Sequence, residues 1–131
     1  MSKSDLSRSI ELFVQAVQRL AEACARPEDP FIRDAVIQRF EFSYELAWKL
    51  LKRKLAGEGI EVGTPRQAIQ QSVAAGLIED GNLWTELLRM RNLTSHTYDE
   101  ALAIRVYRFV CSEGLPAFRT LAKRAEEWGG D

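Results

Sequence analysis

The stretch DPFIRDAVIQRFEFSYELAWKLLKRKLAG, from Asp29 to Gly57, decides how the rest of the chain is read. Asp29 can accept a backbone N–H as N-cap, and Pro30 suits the first helical position. Gly57 and Gly59 set a stop after about Ala56. One broad face carries Ile32, Val36, Ile37, Phe40, Ala47, Leu50, Leu51 and Leu55, with Tyr44 and Trp48 on its border. The opposite strip carries Asp34, Gln38, Glu41, Glu45, Lys49 and Lys52. Phe42 and Leu46 fall on a second side. A helix apolar on two sides is either central in its bundle or covered by another subunit, a first sign of an oligomer.

Helices extend on both sides of it. Towards the N-terminus, Leu6, Ile10, Phe13, Val14, Val17, Leu20, Ala21 and Cys24 fall within an arc of roughly 120° at the helical period. That predicts an amphipathic helix, capped by Asp5 and ending near Arg26-Pro27. Thr64-Pro65-Arg66-Gln67 reads as a capping box before a short helix through Ile69 and Val73 that ends at Gly76. Asp80 or Asn82 can cap the next helix, which presents Leu83, Trp84, Leu87, Leu88 and Met90. Thr97-Tyr98-Asp99-Glu100 reads as a second capping box. From there Ala101, Ile104, Tyr107, Val110 and Cys111 are expected inward, with Gly114 and Pro116 kinking or breaking the helix before Phe118, Leu121 and Ala125. Residues 128–131 are expected to fray. The fold class is all-α: an up-and-down bundle of four main helices plus one short one, as a single domain over residues 1–131.

Composition narrows the function by exclusion. Of 131 residues 46% are hydrophobic, enough for a core and outside the disordered class. Eighteen Lys and Arg against nineteen Asp and Glu leave a net charge of −1, so no global cationic field holds nucleic acid. No apolar run is long enough to span a membrane, and the first residues lack the apolar middle of a signal peptide. Cys24 and Cys111 have no metal-ligand spacing around them; both fall on apolar faces and read as small core residues of a cytoplasmic protein. No metal or other cofactor is expected. Nucleotidyl transfer by this chain is excluded too, since it holds neither a Gly-Ser dipeptide nor an Asp-x-Asp to place metal on a triphosphate.

Chemistry concentrates between residues 89 and 100. His96 is the only histidine. On a continuous helix Arg91 and His96 would diverge by roughly 140°. A turn between them would let guanidinium, the Asn92 amide and imidazole converge. The plainer alternative is a polar interhelical turn whose histidine bonds a neighbour.

Arg91-Asn92-Leu93-Thr94-Ser95-His96-Thr97-Tyr98 resembles the R-x4-H-x-Y signature of the HEPN superfamily of small helical bundles. Residues 33–49 resemble the second-helix signature of one branch, the nucleotidyltransferase substrate-binding proteins. Thr64-Pro65-Arg66 and Trp84 also fall where that branch carries similar residues. The resemblance spans about Arg8 to Leu121. It implies a homodimer or higher homo-oligomer, and a separate MNT-type nucleotidyltransferase as partner in a toxin–antitoxin-like pair. It further implies a metal-independent endoribonuclease silenced by attachment of AMP to Tyr98. The older implication is a non-catalytic substrate-binding subunit of a two-chain nucleotidyltransferase.

The residues suit the first implication chemically. Cleaving RNA without metal needs a base for the 2′-OH, stabilisation of charge on phosphorus and an acid for the leaving oxygen. Imidazole, as at His96, is suited to proton transfer near neutral pH. Arg91 offers a fork of donors to phosphate oxygens, and Asn92 can orient His96 or donate to the phosphate. One histidine cannot be base and acid in a single concerted step, which gives a dimer a reason. Lys52, Arg53, Arg89 and Arg105 are candidates for a local basic rim. Tyr98, as second residue of a capping box, is placed on the first helical turn, where a helix N-terminus favours an added phosphate. On the long helix, Glu41, Glu45 and Lys49 form either a solvated strip with a Glu45–Lys49 pair or the charged wall of a substrate cleft, with Tyr44 and Trp48 at its edge for stacking a base or sugar.

Overall fold

The computed structural model describes residues 4–129, and all regular structure among them is helical. The elements are α1 (Asp5–Cys24), α2 (Pro30–Gly57), α3 (Pro65–Ala74), α4 (Gly81–Leu93), α5 (Glu100–Phe109) and α6 (Leu115–Glu126). A 3-10 turn, Thr94–His96, extends α4, and a π turn, Val110–Gly114, joins α5 to α6. The last three pieces form one unbroken helical rod from Glu100 to Glu126, so the bundle has four main helices and short α3.

Local chemistry sets most boundaries as the sequence implies. Asp29 Oδ1 accepts from Ile32 N at 2.8 Å with Pro30 behind it. Gly59 and Gly76 take φ of +82° and +76°, the left-handed geometry that ends α2 and α3 at no cost to a residue lacking Cβ. Asp80, rather than Asn82, caps α4 by accepting from Leu83 N. Two caps differ from expectation. Ser4 caps α1 and Asp5 falls in its first turn. Asp99, not Thr97, caps α5 by accepting from Leu102 N. Thr97 instead donates to the Thr94 carbonyl, finishing the 3-10 turn.

Helix α2 is the central element and touches α1, α3, α4, α5 and the π turn. Its inner face meets the 3- and 4-residue stripe of α1, Ile10, Phe13, Val17 and Leu20, and all are buried. Phe118 of α6 sits where four helices converge. Its ring lies 5.9 Å from Phe13 edge-on, 5.9 Å from Phe40 stacked, and 5.8 Å from Trp84. Leu46 is half-covered, while Phe42 is 61% exposed beside Leu12 in a shallow groove between α1 and α2.

The C-terminal rod departs from the expected pattern in two ways. Ala103 and Val106, not Ala101 and Ile104, join Tyr107 and Val110 in the core. Apolar residues ring this helix, so either stripe satisfied the period. Gly114 and Pro116 do not break the rod. The π turn re-registers the carbonyls ahead of Pro116, which lacks an N–H, and Gly114 lets the rod approach Leu87, whose Cδ2 would lie 3.3 Å from any added Cβ. Trp128 packs on the core with Lys54 5.5 Å over its ring, so the expected fraying does not reach it; residues 130–131 lie outside the described residues.

Candidate active site

The end of α4 supplies the candidate residues, and a chain of backbone contacts holds it. Thr94 donates to the Arg91 carbonyl at 2.7 Å, Ser95 to that of Asn92 at 3.2 Å, and Thr97 to that of Thr94 at 3.1 Å. Short hydroxyl side chains thus consume the carbonyls that a helix end leaves unpaired. Asp99 N then donates to the His96 carbonyl and the chain turns into α5.

Arg91 points back across the bundle to α2. Its Nη2 lies 3.3 Å from Glu45 Oε1, while Trp48 Nε1 donates to Glu45 Oε2 at 3.1 Å. The Glu45 carboxylate therefore joins α2 to the end of α4, with an indole fixing its second oxygen. Arg91 Nε is buried without a hydrogen-bond partner among the described residues, as is the hydroxyl of Tyr44. Burial pushes the Tyr44 phenol well above its ordinary range, with the Glu45 carboxylate adding to the shift and the Arg91 guanidinium opposing it.

His96 and Tyr98 lie on the outside. Both are exposed, and Tyr98 is 88% so. Their rings meet edge-on with centroids 6.2 Å apart. Asn92 is exposed as well.

Several expected placements are corrected by this geometry. The turn forms, but it does not bring the Arg91, Asn92 and His96 side chains into mutual contact: Arg91 is on Glu45 and His96 is on Tyr98. The 3-10 turn follows α4 directly, and Arg91 and His96 each take a different partner. Tyr98 precedes the Asp99 cap and lies outside the first turn of α5; Asp99 already occupies Leu102 N, so the helix terminus offers little to an added phosphate. On α2, the partner of Glu45 is Arg91 and not Lys49, which is exposed. Tyr44 is 1% exposed and belongs to the core rather than to a cleft edge. Trp48 keeps partial exposure beside Lys52, whose Nζ stands 5.8 Å over its ring, and Glu41 is half-exposed. The proposed basic rim is largely spoken for: Arg53 pairs with Asp5 at 3.5 Å and Arg89 with Glu86 at 3.6 Å, leaving Arg105 exposed. Sequence reasoning missed the bridge role of Glu45. Its only signal was an acidic residue next to the border of the buried face, where a cation from another helix can reach it.

With the geometry in place, likeness to known proteins becomes informative. The sequence profile of the family described as nucleotidyltransferase substrate binding protein like matches residues 4–127. A probable ribonuclease HepT of Haemophilus influenzae is 40% identical over 85 residues, which cover 61% of this chain and 58% of that protein. The chain thus matches somewhat more than half the length of this relative. HI0074 of Haemophilus influenzae, described as revealing the fold of a substrate binding domain of a nucleotidyltransferase, superposes with TM-score 0.68 at 27% identity, over 92% of this chain and 96% of that one. A tri-AMPylated HEPN toxin of Shewanella oneidensis, solved in complex with an MNT antitoxin, has TM-score 0.77 over 95% of this chain and 98% of that one. At 15% identity that last likeness is one of fold.

Proposed function

We propose, from the premise that the chain belongs to the nucleotidyltransferase substrate-binding-protein branch of the HEPN superfamily, that it is the HEPN partner of a separate MNT-type nucleotidyltransferase and cleaves RNA without metal. The observation that carries this reading is the exposed His96–Tyr98 pair, 6.2 Å apart, one turn beyond the anchored Arg91. The ribonuclease relative and the toxin–antitoxin complex of the same fold support it.

In this mechanism His96 exchanges a proton with the 2′-OH or with the leaving 5′-oxygen, and Arg91 neutralises the phosphate between them. The Arg91 guanidinium has to turn partly from Glu45 to the phosphate, for which its 30% side-chain exposure leaves room. A single imidazole serves one of the two proton transfers. A second copy of the turn, brought up in a homodimer, supplies the other. Asn92, exposed on the same turn, is the amide donor to the substrate. Glu41, Trp48 and Lys49 line the α2 side on which an incoming nucleotide lies, while Tyr44 acts from beneath by supporting Arg91.

Silencing follows at Tyr98. The phenol oxygen attacks the α-phosphorus of ATP held by the partner, forming a Tyr98 O–P bond, releasing pyrophosphate and giving up its proton. The adenylate then occupies the space beside His96, and its negative charge repels an RNA phosphate.

Purified wild-type and His96→Ala chains, incubated with RNA in EDTA and without partner, test the reading. Cutting by the wild type alone is expected. Tyr98 is then expected to gain AMP in mass spectrometry after incubation with partner and ATP. The engagement of Arg91 by Glu45 favours the second reading, a non-catalytic substrate-binding subunit. That reading takes over if neither chain cuts RNA while the wild type binds its partner.

A further inference from the structure

Cys24 closes α1 and Cys111 lies in the π turn, 87 residues apart in sequence, yet their sulfurs are 2.7 Å apart. Both thiols are half-exposed, and neither belongs to the candidate active site. Both are fixed by backbone that is itself packed. Ala23, next to Cys24, is buried in the core, and so is Val110, next to Cys111. The two sulfurs are therefore held together by the fold and not by chance rotamers of mobile loops.

We propose that Cys24 and Cys111 form a dithiol–disulfide couple that peroxide oxidises, locking the end of α1 to the π turn of the C-terminal rod. The groups around the sulfurs assign the roles. Cys111 Sγ donates to Cys24 Sγ at 2.7 Å, and Tyr107 lies one helical turn before Cys111 on the same rod. The mutual contact of the two sulfurs brings the Cys111 thiol below its ordinary range despite burial, and together with burial it pushes that of Cys24 up. We assign the attack to the Cys111 sulfur, as its thiolate, and the resolving step to Cys24, whose sulfur already lies 2.7 Å away. In the first step the Cys111 thiolate takes one oxygen of hydrogen peroxide, the O–O bond breaks, and hydroxide leaves to be protonated to water. In the second, the Cys24 sulfur attacks the sulfenic sulfur of Cys111, the S–O bond breaks, and the Cys24 proton leaves with hydroxide as a second water. The balance is two thiols and one peroxide giving one disulfide and two waters. In a reducing compartment the pair rests as thiols, and a small-molecule thiol restores it.

The consequence is mechanical. A cross-link closing so long a loop removes freedom mainly from the unfolded chain. It joins α1 to the π turn across the bundle, so the oxidised bundle should resist opening more strongly than the reduced one.

The test uses the full chain, reduced, freed of reductant and exposed to hydrogen peroxide. The expected product is lighter by two hydrogens, links the Cys24 and Cys111 peptides within one chain, resists iodoacetamide and reverts with dithiothreitol. Its melting temperature should rise by on the order of 5–10 °C, and Cys24→Ser should abolish the rise. In Cys24→Ser, dimedone should trap a sulfenic acid on Cys111; in Cys111→Ser, Cys24 should stay unreacted under the same exposure. Oxygen added independently to each cysteine, links only between chains, or thiols still open to iodoacetamide would overturn the proposal. So would a disulfide that forms without raising the melting temperature, since the lock would then be absent.

Discussion

Removing Glu45 separates what holds the bundle from what arms the site. The Arg91 Nη2–Glu45 Oε1 contact is a single N–H···O approach of 3.3 Å, not a bidentate fork, and the two side chains are 30% and 39% exposed. At that exposure the Coulomb attraction is largely offset by desolvation and side-chain ordering, so the pair is worth about 0.5–1 kcal/mol. Glu45→Ala also strips Trp48 Nε1 of its acceptor, though a half-exposed indole recovers water. A double-mutant cycle of Glu45→Ala and Arg91→Ala in urea should therefore return a coupling of no more than about 1 kcal/mol. The proposed RNA cleavage should respond on another scale. Loss of a guanidinium that meets the charged phosphate costs about 10²-fold or more in rate. Glu45→Ala, which leaves Arg91 present but unanchored, should fall between that variant and wild type. Because Arg91→Ala and the double variant lack the group being positioned, they should cleave equally poorly. A coupling above about 2 kcal/mol with cleavage unaffected by Glu45→Ala would refute the argument. The contact would then be a structural strut.

Three further outcomes follow from the same geometry. Phe118→Ala deletes a fully buried ring with three aromatic neighbours and should cost about 3–5 kcal/mol in urea unfolding, a large part of a small domain's stability. Asp99→Ala should lose about 1 kcal/mol of stability, and Thr97→Ala less, because Asp99 makes the capping bond to α5; the reverse order in thermal melts would restore Thr97 as the cap. Tyr44→Phe removes a buried hydroxyl without a partner among the described residues and should leave the melting temperature unchanged or higher, by the equivalent of up to about 1 kcal/mol; a clear drop would show that the hydroxyl is bonded.

How far the sequence carries depends on whether a signal is local. The α2 boundaries were legible because Asp29, Pro30 and Gly59 each act within a turn of their own position. The stripe of α1 was legible because its polar and apolar faces are segregated. By contrast, Ala101, Ala103, Ile104 and Val106 offer two apolar stripes on α5, and only the packing of α5 against α2 selects the inner one. The Cys24–Cys111 contact lay beyond any local signal. It exists because α1 packs against α6 of the C-terminal rod and because Ala23 and Val110, beside the two cysteines, are buried in the common core.

The candidate site shows the same division at finer scale. Thr97-x-x-Glu100 and Asp99-x-x-Leu102 compete for one helix start, and both contain a residue type that caps well. A capping box would have gained two bonds at the N-terminus of α5. It would also have left the Thr94 carbonyl at the end of α4 without the Thr97 hydroxyl that now satisfies it. Asp99 resolves the competition by capping alone, which frees Thr97 to finish the turn. That choice displaces Tyr98 from helix to connector and exposes its ring next to His96. An exposed connector is the more accessible position for a modifying enzyme, whereas a first-turn position would have directed the phenol along the helix surface. The choice of cap thus sets how Tyr98 is presented: the proposed adenylylation would gain access to an exposed phenol and forgo help from the helix terminus.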